Sequence, residues 1–211
     1  MKVIKQTVEL ARYQKLPEHI ILSIEEAGRI SHKSEPTGSL ADAEAFIRKL
    51  IGWGHESVLE HESLRLHIVT DRGISHELVR HRAGIAVTQE STRYVAYQGE
   101  LEVVAPPLQN AASYSSMPPR AIWEKQIMLA EAHYHALLAC GVPPELARSV
   151  LPTCVKTELY VTCNIREWRH IIRLRTHKAA HPQMRELIGM AFDVLSGYVP
   201  VCFEDLRNDT E

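Results

Sequence analysis

The sequence predicts an α+β protein, a single domain over residues 1–211 with more helix than strand. Several segments repeat apolar residues with the period of a helix, and two short segments have the composition of strands. In addition, no internal repeat or low-complexity tract divides the chain, and 211 residues are enough for one substantial core.

The first half is predicted to contain two helices, a strand, a turn and a third helix, at residues 17–30, 39–53, 64–70, 71–73 and 74–82. Ser39 is a suitable N-cap for the second helix, with Asp42 in its first turn and Gly54 as its stop. LRLHIVT, at 64–70, alternates apolar and polar residues, which is typical of a half-buried strand.

The second half is predicted to contain one strand followed by helices, at residues 101–105, 120–139, 143–152, 156–175 and 182–197. Between the strand and the long helix, residues 108–119 are rich in Asn, Ser and Pro, which indicates a loop. This loop is a candidate lid over a binding site.

Composition excludes several function classes. The formal net charge of -2 argues against binding of nucleic acid by bulk electrostatics. No segment approaches the roughly 20 apolar residues of a membrane span, and MKVIKQTVEL does not resemble a signal peptide. Four cysteines without CxxC spacing are typical of free thiols in a reducing, cytoplasmic setting.

Basic residues gather in RHRAGIAVTQESTRY, at 80–94, where Arg80, His81, Arg82 and Arg93 surround a polar centre. This pattern suits either a solvated basic turn or an anion pocket. On a helical wheel, Arg175 falls at the end of the apolar stripe of 163–175. It either reaches solvent from the helix end or is buried with a partner, since an unpaired buried charge is very unfavourable.

Histidines recur in GHESVLEHESLRLH at positions 55, 61 and 67. A spacing of six residues fits no familiar ligand set, so no metal site is predicted. Glu56 and Glu60 lie four residues apart and are expected to share one helical face, which would form the polar wall of a pocket.

Four motifs in order resemble the flavin-dependent thymidylate synthases. RHR is followed after eight residues by Ser91 and then by Arg93-Tyr94. The other three are GHES at 54–57, ELARSVLP at 145–152 and NIREWRHIIRLRTHKAAHPQMRE at 164–186. The resemblance covers most of the chain.

The resemblance implies reductive methylation of dUMP to dTMP. In this family methylenetetrahydrofolate donates the carbon, FAD is the redox carrier and NADPH is the reductant. The resemblance also implies a homotetramer with shared active sites, and helices packed on a mainly antiparallel sheet. Neither nucleic acid nor a membrane is expected as a partner.

Residue by residue, the resemblance implies three groups. The flavin-binding positions are Ser57, Arg80, His81, Arg82, Gln89, Asn164, Ile165, Arg166 and His170. The nucleotide-binding positions are Glu77, Leu78, Val79, Arg80, Gln89, Glu90, Ser91, Thr92, Arg93, Arg148 and Arg175. Arg175 also matches the catalytic arginine that activates the uracil ring.

Departures from the common family pattern leave other interpretations open. The spacer before Ser91 is the longer form, Gln89 stands where many members have glutamate, and His177 and His181 have no clear counterpart. The alternatives are a family variant that alkylates another pyrimidine nucleotide, a non-catalytic nucleotide- or RNA-binding protein, and a metal-dependent hydrolase.

Overall fold

Two sheets and seven α-helices organise residues 1–108, 112–113 and 116–209, which are described by a computed structural model. The strands are β1 Lys2–Ile4, β2 Thr7–Leu10, β3 Ser63–Asp71, β4 Ile85–Gln89, β5 Glu102–Val104 and β6 Lys156–Asn164. The helices are α1 Pro17–His32, α2 Leu40–Gly52, α3 Arg72–Leu78, α4 Pro119–Ala139, α5 Pro144–Ala147, α6 Ile165–Thr176 and α7 Pro182–Tyr198. Short segments of 3-10 helix include Glu56–His61 and Glu204–Asp209.

The larger sheet has the strand order β2-β3-β6-β4, and the smaller pairs β1 with β5 in parallel. The predicted α+β class, with helices on a mainly antiparallel sheet, is confirmed. No helix of the described residues is apolar over a length that could cross a membrane.

Two compact units, each built from separate segments, make up the chain. Unit 1 comprises Met1–Gln6, Val69–Leu78 and Gln89–Leu159, and unit 2 comprises Thr7–Ile68, Val79–Thr88 and Tyr160–Glu211. The single domain over 1–211 stays a prediction. Part of the candidate lid at 108–119 lies outside the described residues, at 109–111, 114 and 115.

Helix α6 and helix α7 form much of the core of unit 2. Trp168, Ile171 and Ile172 on α6 are fully buried, as the helical wheel predicts, and Nε1 of Trp168 donates to the carbonyl of Leu64 on β3 at 2.9 Å. In unit 1 a smaller apolar cluster consists of Leu101, Val103, Ile127 and Val155.

The predicted helix at 156–175 is wrong in its first half, which forms strand β6. Thr157, Leu159, Val161 and Cys163 are buried in alternation with more exposed neighbours. Burial with a period of two matches a strand, and β-branched residues favour it. The helix begins only after Asn164, whose side chain caps it.

The predicted turn at 71–73 is also wrong, because α3 begins directly at Arg72. Oδ1 of Asp71 accepts a hydrogen bond from the N–H of Ile74 at 2.7 Å, which satisfies a free donor at the helix start. The same helix ends at Leu78 rather than continuing to residue 82. Strands β1, β2 and β4 were not predicted, being short or mostly exposed.

Candidate active site

Helix α6 presents Glu167, His170 and Arg173 at intervals of three residues. Residues three apart on a helix lie on the same side, so these polar side chains form a row. The helix begins at Asn164, whose Oδ1 accepts a hydrogen bond from the N–H of Glu167 at 2.8 Å. This cap fixes where the row begins.

His81 lies against this row and is only 8% exposed. Its Nδ1 is 3.4 Å from Oε1 of Glu167, and its ring centre is 6.0 Å from that of His170. Its Nε2 accepts a hydrogen bond from Nε of Arg175 at 3.0 Å. The half-buried Arg175 therefore has an uncharged partner rather than a carboxylate at this nitrogen.

The surroundings of His81 keep its ring neutral at pH 7. Burial, together with the positive charges of Arg175 and His170, lowers the pKa of His81 to about 4. A neutral ring that accepts at Nε2 carries its hydrogen on Nδ1, which is the atom that faces Glu167. Burial also raises the pKa of Glu167, against the opposing effect of His170.

A cavity of about 790 Å³ opens beside this cluster. Its walls are Arg80, His81, His170, Arg173, Leu174, Arg175, His177, Ala179 and Ala180. The lining has three guanidinium groups and no carboxylate, although Arg173 is paired with Glu56 and Asp205. Arg80 and Arg175 give the cavity a positive character that suits an anion such as phosphate. His177, whose role the sequence leaves open, lies in this wall.

A second cavity, of about 460 Å³, shares His170 and Arg173 with the first. Glu56 and Glu60 both line it, so the predicted polar wall is confirmed. Arg166 forms an ion pair with Glu60 at its rim. Gly84 lies in the same wall next to Asn164, where a Cβ at residue 84 would be 2.2 Å from the Asn164 amide nitrogen.

The structure brings together only part of the predicted flavin-binding set. Arg80, His81 and His170 line the first cavity, and Asn164, Arg166 and His170 line the second. Ser57 instead lines a third cavity, of about 480 Å³, with His55 and His61. Ile165 is fully buried and Arg82 is exposed; neither belongs to the named lining of the first two cavities.

Several predicted nucleotide-binding residues meet in unit 1. A terminal nitrogen of Arg148 donates to Oγ1 of Thr92 at 2.7 Å, and the backbone N–H of Arg93 donates to Oγ of Ser91 at 3.3 Å. Nε of Arg93 lies 3.8 Å from a carboxylate oxygen of Glu145. Two exposed arginines thus flank two hydroxyl groups, a donor set that suits phosphate.

Gln89 and Glu90 have structural partners in the same unit. The amide of Gln89 donates to the hydroxyls of Ser75 and Thr157 at 2.9 and 3.0 Å. The backbone N–H of Glu90 donates to the carbonyl of Glu158. The neutral amide of Gln89 therefore forms hydrogen bonds at the position where many family members have glutamate.

The remaining predicted nucleotide-binding positions differ in burial. Leu78 is fully buried and Val79 is 38% exposed. Glu77 is half-buried on α3.

His81, Glu167 and His170 offer three ligand atoms within 4.8 Å of one another, a set that could hold a metal ion. However, Nε2 of His81 already accepts from Arg175, and Arg80 and Arg173 line the adjoining cavity. Positive charge beside the set opposes binding of a cation. The expectation of no metal remains a prediction.

Arg169 is buried although it lies opposite the apolar stripe of α6, and no sequence pattern predicts this burial. Its guanidinium is fully buried and forms two hydrogen bonds of 2.7 Å with the carboxylate of Asp205. It also donates to Glu56 at 3.0 Å and to the carbonyl of Cys202 at 2.5 Å. These partners come from distant segments, so the periodicity of the helix alone could not reveal them.

Together the fold and the cavities define an α+β protein with a cavity lined by arginine and histidine. A family model described as "Thymidylate synthase complementing protein" matches residues 9–201. The chain belongs to this family, whose named relatives are flavin-dependent thymidylate synthases.

One such relative, from Geobacter sulfurreducens, is 35% identical over 168 residues, which are 79% of this chain and 71% of that protein. Another, from Mycobacterium bovis, is 32% identical over 200 residues, covering 89% of this chain and 80% of that protein. The UMP/dUMP methylase PolB from Streptomyces cacaoi, crystallised with 5-Br dUMP, has the same fold. Its TM-score is 0.80 at 23% identity, over 99% of this chain and 97% of that chain.

Proposed function

We propose that this protein catalyses the reductive methylation of dUMP to dTMP, with methylenetetrahydrofolate as carbon donor, FAD as redox carrier and NADPH as reductant. Family membership supports the reaction class. The observation on which the proposal chiefly rests is Arg175, whose guanidinium is held by His81 at the wall of a cationic cavity.

Arg175 is proposed as the catalytic residue. C5 of the uracil ring becomes nucleophilic when negative charge builds along N3, C4 and O4. A guanidinium fixed beside that edge stabilises the charge as it develops, as an oxyanion site does. Arginine stays protonated at working pH, so Arg175 acts by charge and hydrogen bonding and not as a base.

FAD is proposed to be held by Arg80 and His170 from the predicted flavin-binding set, together with Arg173, which lines the same first cavity. The donor set fits this cofactor, because guanidinium groups suit its pyrophosphate. A side chain at residue 84 would collide with the side chain of Asn164. This wall of the second cavity therefore requires glycine at position 84. When bound, FAD supplies the hydride and carries the reacting carbon.

The nucleotide phosphate is proposed to bind to the cluster of Arg148, Arg93, Ser91 and Thr92. Ser91 serves there as a hydrogen-bonding group, because a serine hydroxyl without an activating base is a poor nucleophile. Glu77, Leu78, Val79, Gln89 and Glu90 are proposed to complete the nucleotide-binding set.

The active form is proposed to be a cytoplasmic homotetramer with shared active sites. Family resemblance supports the assembly, and four free cysteines support a reducing compartment. An isolated monomer is then expected to bind no FAD. Normal flavin stoichiometry in a monomeric variant would refute that expectation.

The test is release of tritium from C5-labelled dUMP by the purified protein. Release should require FAD, NADPH and methylenetetrahydrofolate together, and omission of each should abolish it. A protein that binds no added FAD, or releases no tritium with all components present, contradicts the proposal. A parallel assay with UMP detects a family variant that alkylates another pyrimidine nucleotide.

A further inference from the structure

The position of His81 suggests a role different from the flavin contact that the resemblance assigns to it. Its Nε2 accepts from Nε of Arg175 at 3.0 Å, and its Nδ1 lies 3.4 Å from Oε1 of Glu167. Both ring nitrogens thus face side chains of this chain. A flavin could meet His81 only through the carbon edge or face of its ring.

We propose that His81 is a positioning residue, which holds the Arg175 guanidinium in the orientation that the reaction needs. For the role of Arg175, the inference rests on the proposed function. The pairing of His81 with Arg175 is independent of that function. The bond uses the Nε–H of Arg175, one of the five N–H donors of a guanidinium group.

The chemistry of the pair requires a neutral ring. An imidazolium has hydrogen on both nitrogens and cannot accept a hydrogen bond from a guanidinium. The guanidinium of Arg175 at Nε2, with Arg80 and Arg173 in the same cavity wall, favours the neutral form of His81, while Glu167 at Nδ1 acts in the opposite direction. His170 and His177 also lie beside this ring or in the cavity wall.

Glu167 completes the arrangement from the other side of the ring. Its carboxylate oxygen faces Nδ1, so it favours the tautomer that carries hydrogen there and leaves Nε2 as the acceptor. The backbone of Glu167 is itself held by the cap of α6, because its N–H donates to Asn164. Glu167 and His81 thus link the start of α6 to Arg175 near its end.

Variants at His81 separate positioning from flavin binding. His81→Phe keeps a ring but removes the acceptor, and kcat should fall ~10²-fold, as small misplacements of reacting groups do. Flavin occupancy of the purified protein should stay within about twofold, because no flavin contact through nitrogen is lost. His81→Gln should recover much of kcat, since its amide oxygen can accept from Arg175.

His133→Phe, at an exposed position on α4, is the matched control and should change neither kcat nor flavin content. A parallel loss of flavin in His81→Gln and His81→Phe would show that His81 is a flavin ligand and overturn the proposal.

A second measurement does not depend on turnover. NMR of ¹⁵N-labelled histidine should show His81 at pH 7 as the neutral tautomer with hydrogen on Nδ1, and Arg175→Gln should shift its Nε2 resonance. An imidazolium, or hydrogen on Nε2, at pH 7 would overturn the pairing. If the expected spectrum is found in a protein inactive on dUMP, the proposed function fails while the pairing stands.

Discussion

Gly84 and Asn164 approach so closely that residue 84 has no room for a side chain. Its backbone has φ +61°, and a Cβ there would lie 2.2 Å from the Asn164 amide nitrogen. The backbone N–H of Asn164 also donates to the carbonyl of Gly84 at 3.0 Å. The end of the RHR segment is thus joined to the residue that caps α6.

Gly84→Ala is expected to destabilise the protein by about 2 kcal/mol or more, combining backbone strain with displacement of Asn164. Urea unfolding measures the change. Gly54→Ala is the control, because Gly54 has φ +75° with nothing within 4 Å of a Cβ. It should cost only about 1 kcal/mol, from backbone strain alone; equal losses would show that contact with Asn164 is unimportant.

Asp205→Asn should lower the free energy of unfolding by about 3 kcal/mol, because it removes the main charge partner of the buried Arg169. Glu204→Gln is the control in the same turn. Glu204 forms an ion pair with Arg48, and the two side chains are 42% and 47% exposed, respectively. That exposed pair is expected to contribute less than about 1 kcal/mol. Similar losses of unfolding free energy in the two variants would show that the buried pair of Arg169 and Asp205 contributes no more than the exposed pair.

Asp205 also predicts a dependence of stability on pH. Burial would raise its pKa, but the hydrogen bond and charge of Arg169 outweigh burial and lower it from 3.8. A lowered carboxyl pKa gives stability that is present above pH 3.8 and lost as pH falls through the folded pKa. Asp205→Asn should lack this acid-sensitive part of the unfolding free energy.

His81 is expected to make stability depend on pH in a higher range than Asp205 does. Its pKa is about 4 in the folded protein against 6.5 for an unperturbed histidine, so the unfolded chain takes up a proton first as pH falls. The free energy of unfolding should then decrease between about pH 6.5 and 4, by an amount on the order of 3 kcal/mol. His81→Phe should show a flatter profile; an identical slope would contradict a neutral buried ring.

Arg148→Met is expected to raise KM for dUMP about 10- to 100-fold, the effect of losing one charge-assisted hydrogen bond to phosphate. Its kcat should change much less, because the phosphate is bound equally in the ground state and the transition state. Arg120→Met is the control, since Arg120 is an exposed arginine paired with Glu124 on the same helix. A normal KM in Arg148→Met would exclude it as a phosphate ligand.

Much of the fold can be predicted from local sequence patterns. The elements that are predicted wrongly share a physical cause. Ser39 caps α2 as predicted, because its partner, Asp42, is three residues away. Strand β6 was missed, because KTELYVTCN is followed without a break by an amphipathic helix and apolar periods of both kinds overlap there. Cap formation at Asn164 separates the two, and the sequence offers that signal.

The candidate site was predictable in its residue types but not in its pairings. The wheel placed Arg175 at the end of an apolar stripe, and the structure shows it half-buried with a partner. That partner, His81, lies 94 residues away, a distance over which no periodicity applies. The burial of Arg169 is not predicted for the same reason, since Asp205 and Glu56 are distant in sequence.

The role of Arg175 is tested most directly by the turnover of Arg175→Ala in the tritium-release assay, with flavin content measured on the same preparation. Turnover should fall at least ~10²- to 10³-fold, the loss typical of removing a group that stabilises developing negative charge, while FAD remains bound. Unchanged turnover in a variant that binds flavin normally would contradict the assignment of Arg175 as the residue that activates the pyrimidine ring.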